Sequence, residues 1–180
     1  MDESSLQTFT SLKPVFFDEP KILILVSMPS VDSHLADFYY ADEDNRFWPL
    51  MGALYQMPVG TDQERLDLLK ANHLALWSVV KSCKRHLSEE DTMQDIQLND
   101  IDTFLTEHPS IERILCVSRR TEHLLEETLY EPSLPVYYVP SPSAADLWYD
   151  SVEKLEPEWR SALGIDQNGI DAEYIEAPEV

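Results

Sequence analysis

The chain has 180 residues, of which 43% are hydrophobic and 10% aromatic, enough apolar material for one core. Because this length is short for two full domains, we predict a single domain over residues 1–180. Asp and Glu number 34 against 13 Lys and Arg, which gives a net charge of −21. Nonspecific adhesion to nucleic acid or to an anionic membrane is therefore disfavoured. A polyanionic partner could bind only where the surface departs locally from this negative charge.

The sequence shows neither a membrane span nor an export signal. The longest uninterrupted apolar run, residues 22–26, is far too short to cross a membrane. The first residues, Met-Asp-Glu-Ser-Ser, lack the basic start and the apolar stretch of a signal peptide. We therefore expect a cytoplasmic protein with no membrane partner.

The two cysteines, Cys83 and Cys116, are too few to hold an iron–sulfur cluster or a four-thiolate zinc ion by themselves. The five histidines lack the spacing of metal ligands. Motifs that bind nucleotide phosphates and the signatures of common hydrolases are absent from the sequence. We expect no metal, no iron–sulfur cluster and no cofactor, and we interpret both cysteines as buried, reduced thiols.

Short apolar runs followed by polar or chain-breaking residues predict the secondary structure. Four such runs are typical of buried strands: residues 21–27, 74–80, 113–118 and 135–140. Three segments have helical character: residues 61–72, 121–129 and 144–163. Strands that alternate with helices predict an α/β fold with a mostly parallel sheet and helices on both of its faces. Ligands bind such sheets at the carboxyl ends of the strands, so the segments that begin at Ser27, Ser118 and Ser141 are the first candidates for a site.

The segment 26–48 contains more aromatic residues than a simple connection requires, and it ends in Asn45-Arg46-Phe47-Trp48. One interpretation is that most of these aromatic rings cover the core beneath a long loop. The other is that Tyr40 stacks on a planar ligand while Asn45 orients a water or hydrogen-bonds the ligand. Asn45 is also well suited to capping a helix that starts near Arg46.

The same segment resembles a known family. Ser27-Met28-Pro29-Ser30, Phe38-Tyr39-Tyr40-Ala41 and Asn45-Arg46-Phe47-Trp48 resemble the opening motifs of the uracil-DNA glycosylase superfamily, in its hypoxanthine (deoxyinosine) DNA glycosylase branch. Later segments match the same branch in order: Ala75 to Val80, Ser82-Cys83 with Arg85, Leu98-Asn99-Asp100-Ile101 and Pro140 to Ala145. The resemblance spans nearly all of residues 14–163, and several matches in order are more specific than any one of them.

The resemblance implies a three-layer α/β/α domain that extrudes a damaged base from DNA and hydrolyses its N-glycosidic bond without a metal, as in base excision repair. The substrates it implies are deaminated bases, with hypoxanthine first and uracil or xanthine after it. Asn45 is the implied catalytic residue. The implied base pocket comprises Ser27, Met28, Pro29, Tyr40 and Ser118. Ser141 and Ser143 are implied to hold DNA phosphates, and the basic pair Arg119 and Arg120, which follows a strand end, is suited either to phosphate contact or to surface solubility.

The sequence also departs from the branch's pattern. Val26 stands in place of a glycine, Val117-Ser118 in place of Asn-Gly, and the serine motif near Ser141 is one residue short. Asp42-Glu43-Asp44 replaces His-Pro-x and puts three carboxylates beside the implied pocket. We expect Asp42 and Asp44 to point to solvent, because burying an unpaired carboxylate is costly.

Charge is distributed unevenly along the chain. Residues 86–112 contain eight acidic residues and no Lys or Arg, which we interpret as a solvated face, and a basic cluster at Lys81, Lys84 and Arg85 precedes them. Residues 164–180 carry five acidic residues and no basic one, so we predict a loosely ordered acidic tail from about residue 164.

Three functions fit this sequence. The first is a DNA-base glycosylase. The second is a non-catalytic relative that acts as an acidic binding or regulatory protein, and the third is an ordinary glycosylase whose surface is adapted to salt. Cleavage of an inosine-containing oligonucleotide at several salt concentrations would separate them.

Overall fold

The computed structural model describes residues 6–128 and 133–165. Its strands are β1 (Gln7–Thr10), β2 (Ile22–Val26), β3 (Leu74–Ser78), β4 (Val80–Arg85), β5 (Gln94–Leu98), β6 (Arg113–Val117) and β7 (Val136–Val139). Its helices are α1 (Val31–Ala36), α2 (Phe47–Tyr55), α3 (Asp62–Ala71), α4 (Ile101–Glu107), α5 (Arg119–Thr128) and α6 (Val152–Leu163). A short 3-10 turn, Glu90–Thr92, lies between β4 and β5.

Four strands form a parallel sheet in the order β3-β2-β6-β7. Each of the four predicted apolar runs supplies one strand of this sheet, as the sequence predicts. In β2, the central residues Leu23, Ile24 and Leu25 have no exposed surface, because helices or further strands cover both faces of the sheet. All four strands run in the same direction, so their carboxyl ends share one edge of the sheet.

Two apolar clusters pack on the two faces of this sheet and confirm the three-layer α/β/α prediction. On one face, Ile24 and Leu115 pack with residues of α2, α3 and α6, including Phe47 and Trp159. On the other face, Leu25 and Cys116 pack with residues of α4, α5 and β4. Successive residues of each strand point to opposite faces, which is why neighbours in β2 and β6 belong to different clusters.

The structure also contains a second, antiparallel sheet with the order β1-β4-β5, which the sequence analysis did not predict. Only Val79 separates the parallel strand β3 from β4, so the run at 74–80 contains one strand and the start of another. The alternation in β4, where Val80, Cys83 and Arg85 are buried and both lysines are exposed, is typical of a strand with one covered face. The acidic segment 86–112, which we interpret from the sequence as a solvated face, contains β5, and most residues of this strand are exposed or half-buried.

The predicted helix at 144–163 is wrong in its first half. Helix α6 begins only at Val152, where the Ser151 side chain caps it by accepting from the Lys154 amide. Before it, the Asp146 carboxylate accepts from the amides of Trp148 and Tyr149, and this turn competes with a helical start. Of the predicted tail, Gly164 and Ile165 lie against the fold, and 166–180 lie outside the described residues. None of the helices in the described part is long and apolar enough to cross a membrane.

Candidate active site

A cavity of about 1070 Å³ opens at the carboxyl ends of β2, β6 and β7, where the topology predicts a ligand site. Most of the predicted site residues line it: Met28, Pro29, Tyr40, Asn45, Ser118, Ser141 and Ser143. Their roles stay predictions, but the fold brings four separate segments of the sequence to one space. Ser27, Arg119 and Arg120 are not among the lining residues.

The turn after β2 forms the floor of the cavity. Ser27 itself is buried, with its carbonyl accepting from the Val80 amide at 2.9 Å, so it lies behind the lining residues Met28 and Pro29. Val26, which stands where the branch usually has glycine, is half-buried and also lines the cavity. Ser30 ends the turn and caps α1 by accepting from the Ser33 amide at 3.1 Å.

Two serine hydroxyls of this turn fix carboxylates from other parts of the chain. Ser27 Oγ donates to Glu90 Oε1 at 2.5 Å, and Ser30 Oγ donates to Asp42 Oδ1 at 2.5 Å. Ser33 Oγ lies 3.5 Å from the same Asp42 oxygen. Both acids line the cavity. The expectation that Asp42 points to solvent is therefore wrong, because hydroxyl donors on α1 compensate its carboxylate for lost water.

Tyr40 is held rigidly at the cavity wall. Its backbone adopts a left-handed conformation with φ of 57°, and its ring stacks on Phe47 with centroids 3.7 Å apart and planes 10° from parallel. The side chain is only 8% exposed, and its buried hydroxyl has no hydrogen-bond partner among the described residues. Burial raises the pKa of this phenol well above its ordinary value, so the hydroxyl keeps its proton. Tyr40 thus belongs to the aromatic core and to the cavity at once.

Asn45 contacts both the start of α2 and the cavity. Its Oδ1 accepts from the Phe47 amide at 2.9 Å, an Asx turn that satisfies the first amide of α2, although the N-cap position itself is Arg46. The side chain also lines the cavity, and its Nδ2 donates to no group in the described part of the chain. The helix bond fixes the carboxamide so that its oxygen is engaged and its two N–H donors remain available to a ligand.

The serine loop after β7 is tied to the start of α2. The Arg46 amide donates to the Pro142 carbonyl at 2.9 Å, and its guanidinium donates to the Ser143 carbonyl at 3.4 Å. Within the loop, Ser141 Oγ accepts from the Ser143 amide, and Ser143 Oγ accepts from the Ala145 amide, each at 3.2 Å. Both hydroxyl hydrogens remain available as donors, which suits the predicted phosphate contacts.

The basic residues near the site differ from one another in their surroundings. Arg119 and Arg120 are exposed at the start of α5, and Arg119 pairs with Glu122 at 3.1 Å and lies 3.6 Å from the centre of the Tyr138 ring. Ser118, which lines the cavity, caps this helix by accepting from the Thr121 amide. The pair thus flanks the cavity at the same edge of the sheet, outside its wall.

Arg85 is not part of a surface basic patch, contrary to its predicted grouping with Lys81 and Lys84. It is 1% exposed, donates to the Pro29 carbonyl at 2.5 Å and stacks over the Phe9 ring. Burial lowers the pKa of its guanidinium. Its position on the covered face of β4 turns it inward, where it holds the cavity floor from behind.

Sequence reasoning missed three residues of the site: Asp42, Glu90 and Arg85. For Asp42, the only signal in the sequence was that it stands where the hypoxanthine DNA glycosylase branch has a histidine. Nothing in the sequence separates Glu90 from the acidic residues around it, because its partner Ser27 is 63 residues away. Within residues 6–128 and 133–165, no three His, Cys, Asp or Glu side chains are grouped so as to bind a metal ion.

Comparison with known proteins identifies the family to which the chain belongs. A hypoxanthine DNA glycosylase from Methanosarcina barkeri is 31% identical over 127 residues, covering 67% of this chain and 74% of the relative. The chain belongs to the uracil-DNA glycosylase superfamily. Within that superfamily it resembles the hypoxanthine DNA glycosylases, since another, from Methanosarcina acetivorans, is 29% identical over 83% of this chain and 95% of the relative. No protein-family model matches the chain.

A solved structure agrees with the fold of this DNA glycosylase. The solution structure of a candidate uracil DNA glycosylase from Methanosarcina acetivorans superposes with a TM-score of 0.75 at 26% identity. The alignment covers 87% of this chain and 97% of that chain. The overall fold of the chain is therefore shared with this solved structure.

Proposed function

We propose that this DNA glycosylase excises deaminated bases, with hypoxanthine preferred over uracil and xanthine, by hydrolysis of the N-glycosidic bond of a flipped nucleotide. The observation that carries the proposal is the Asn45 carboxamide, fixed by α2 and turned to a cavity at the strand ends. The names of the Methanosarcina relatives support hypoxanthine as the first substrate. The cavity's volume of about 1070 Å³ is at the upper end of small-molecule sites, large enough for a nucleotide.

The mouth of the cavity is suited to extruding a base. Leu147 and Trp148 are 85% and 77% exposed, and Leu147 lines the cavity beside the serine loop. Exposed apolar side chains of this kind enter the base stack and lower the cost of unpairing, while the flipped base enters the pocket. Ser141 and Ser143 would bind the adjacent phosphates through their hydroxyls, and Arg119 and Arg120 would contact phosphates farther along.

The pocket would bind the base and then stabilise the transition state. Asn45 N–H donors would bond acceptor atoms on the base or orient the attacking water, and Tyr40, which lines the cavity, would contact the base. Positive charge that develops on the sugar as the bond breaks would be stabilised by the carboxylates that line the cavity, which include Asp42 and Glu90.

The test is a base-excision assay on labelled duplex and single-stranded oligonucleotides that contain one deoxyinosine, deoxyuridine or deoxyxanthosine. We expect release of the free base and an abasic site, with hypoxanthine released fastest. Activity at low salt supports an ordinary glycosylase, and activity only at high salt supports a salt-adapted one. Binding without base release from any of the three substrates would contradict the proposal and favour the acidic binding protein.

A further inference from the structure

We propose that Glu90 is the general base of this site, supplying from the β4–β5 connection the carboxylate that the motif Ser27-Met28-Pro29-Ser30 lacks. The inference rests on the proposed glycosylase function and extends it to a residue that the family motifs do not assign. The chain brings Glu90 to Ser27 across 63 residues of sequence, and Glu90 lines the cavity while Ser27 lies buried behind its lining residues.

The carboxylate is positioned and still has capacity to react. Glu90 Oε1 accepts from the buried Ser27 hydroxyl at 2.5 Å, and Oε2 accepts no hydrogen bond within the described part of the chain. One oxygen thus fixes the group, and Glu90 lines an open, ligand-sized space. A general base needs this combination of fixed orientation and an available lone pair.

The turn that carries Glu90 is held to the site from several directions. The Val31 amide at the start of α1 donates to Ser88 Oγ at 2.9 Å. Thr92 Oγ1 accepts from the His86 amide at 2.9 Å and donates to the Glu89 carbonyl at 2.8 Å. Such anchoring fixes the carboxylate before the substrate arrives.

Asp42 is the competing carboxylate, and its contacts favour a structural role. Its Oδ1 lies within hydrogen-bond distance of two hydroxyls, and one of them, Ser30, is the cap of α1. Glu90 is tied to no helix cap in the described residues. Tyr40, whose buried hydroxyl lacks a partner among the described residues, lines the same cavity.

The chemical step balances as a simple hydrolysis. A water oxygen forms a bond to C1′ of the flipped nucleotide while the bond between C1′ and the base nitrogen breaks, and its electron pair leaves with the base. The water proton moves to Glu90 Oε2 and then to the departing base nitrogen. The products are a neutral free base and an abasic sugar, and the carboxylate returns to its starting form.

The experiment compares Glu90→Gln with the wild-type protein by single-turnover cleavage of a deoxyinosine duplex and by binding to an uncleavable 2′-fluoro analogue. Gln keeps an oxygen for the Ser27 hydroxyl, so the fold is retained. We expect cleavage about a hundredfold slower and binding at least as tight, because a negative charge facing DNA is removed. Asp95→Asn, which makes the same charge change on exposed β5, should cleave at the wild-type rate.

Glu90→Ala provides a readout that a structural role would not produce. Added formate should restore part of its cleavage rate, whereas sodium chloride at equal ionic strength should not. If Glu90 variants unfold, Ser27→Ala leaves the carboxylate in place without its anchor and should slow cleavage about tenfold without preventing DNA binding.

Two results would overturn the role of Glu90 and leave the proposed function intact. One is cleavage by Glu90→Gln at the wild-type rate, and the other is a loss of cleavage rate in Asp42→Asn that Glu90→Gln does not show. A wild-type protein that releases no base would overturn the proposed function and this inference together, so the two failures are distinguishable.

Discussion

At the scale of single residues, Tyr40 shows how one side chain serves both the core and the site. Its left-handed backbone turns the ring onto Phe47, and the ring stack fixes it without any bond to its hydroxyl from the described residues. An alanine substitution would therefore remove the base contact and part of the core together. Only a substitution that deletes the hydroxyl and keeps the ring separates these contributions.

Tyr40→Phe should raise the free energy of unfolding by about 1 kcal/mol in the absence of DNA, because it removes a buried polar group that lacks a partner. Tyr39→Phe is the matched control. The Tyr39 hydroxyl lies 3.1 Å from the carbonyls of Leu12 and Lys13, so its loss should lower stability by about 1 kcal/mol. Urea unfolding of the two variants measures both effects, and a Tyr40→Phe protein less stable than wild type would contradict this account.

At the scale of elements, strand β4 connects the antiparallel sheet to the cavity. Its covered face directs Arg85 under the β2–α1 turn, while its exposed face carries Lys81 and Lys84 to solvent. The Pro29 carbonyl, which belongs to a lining residue, depends on this buried arginine for its hydrogen bond. The position of the cavity floor thus depends on a strand outside the parallel sheet.

Arg85→Met should cost about 1–3 kcal/mol of stability, because it leaves the buried Pro29 carbonyl without its donor while nearly conserving volume. It should also slow base excision, since the floor of the cavity loosens. Lys84→Met on the same strand is the control. Lys84 Nζ lies 3.5 Å from Asp95 Oδ2, and both side chains are exposed. Loss of this ion pair should therefore change the free energy of unfolding by at most about 1 kcal/mol. Equal effects from both variants in thermal unfolding would contradict the role assigned to Arg85.

The parallel sheet was predictable because β2, β3 and β6 are buried on both faces and all four strands appear as uninterrupted apolar runs. Strand β5, with mostly exposed polar residues, has no such signature, so the antiparallel sheet was missed. The cavity-lining residues near Ser27, Asn45 and Ser141 were found from motifs and strand ends. Glu90 and Arg85 were not, because contacts between distant segments decide their environment and sequence spacing does not encode those contacts.

At the scale of the whole molecule, burial of ionisable groups gives stability a defined pH dependence. Burial raises the pKa of Cys116 to about 12 and also raises the pKa values of Tyr39 and Tyr40. Groups with raised folded-state pKa values contribute stability that is complete below their unfolded pKa values. That stability is lost as pH rises, because only the unfolded chain ionises at first.

The free energy of unfolding should therefore fall above about pH 8, where an unfolded cysteine begins to ionise, and fall further as tyrosines ionise. Cys116→Ala should remove about 2 kcal/mol of the loss between pH 8 and pH 10. Urea unfolding at the two pH values gives the difference. An identical pH dependence in the variant would show that Cys116 ionises equally well in both states.

The central claim is that the Asn45 carboxamide works in the cavity as well as at the helix end. Asn45→Ser retains an oxygen that can accept from the Phe47 amide, whereas Asn45→Ala removes this acceptor and should cost about 1 kcal/mol of stability. The most direct test is single-turnover release of hypoxanthine from a deoxyinosine duplex by both variants. We predict that each cleaves about a hundredfold more slowly than wild type, although Asn45→Ser keeps its melting temperature. Wild-type cleavage by Asn45→Ser would contradict the account and leave Asn45 with a structural role only.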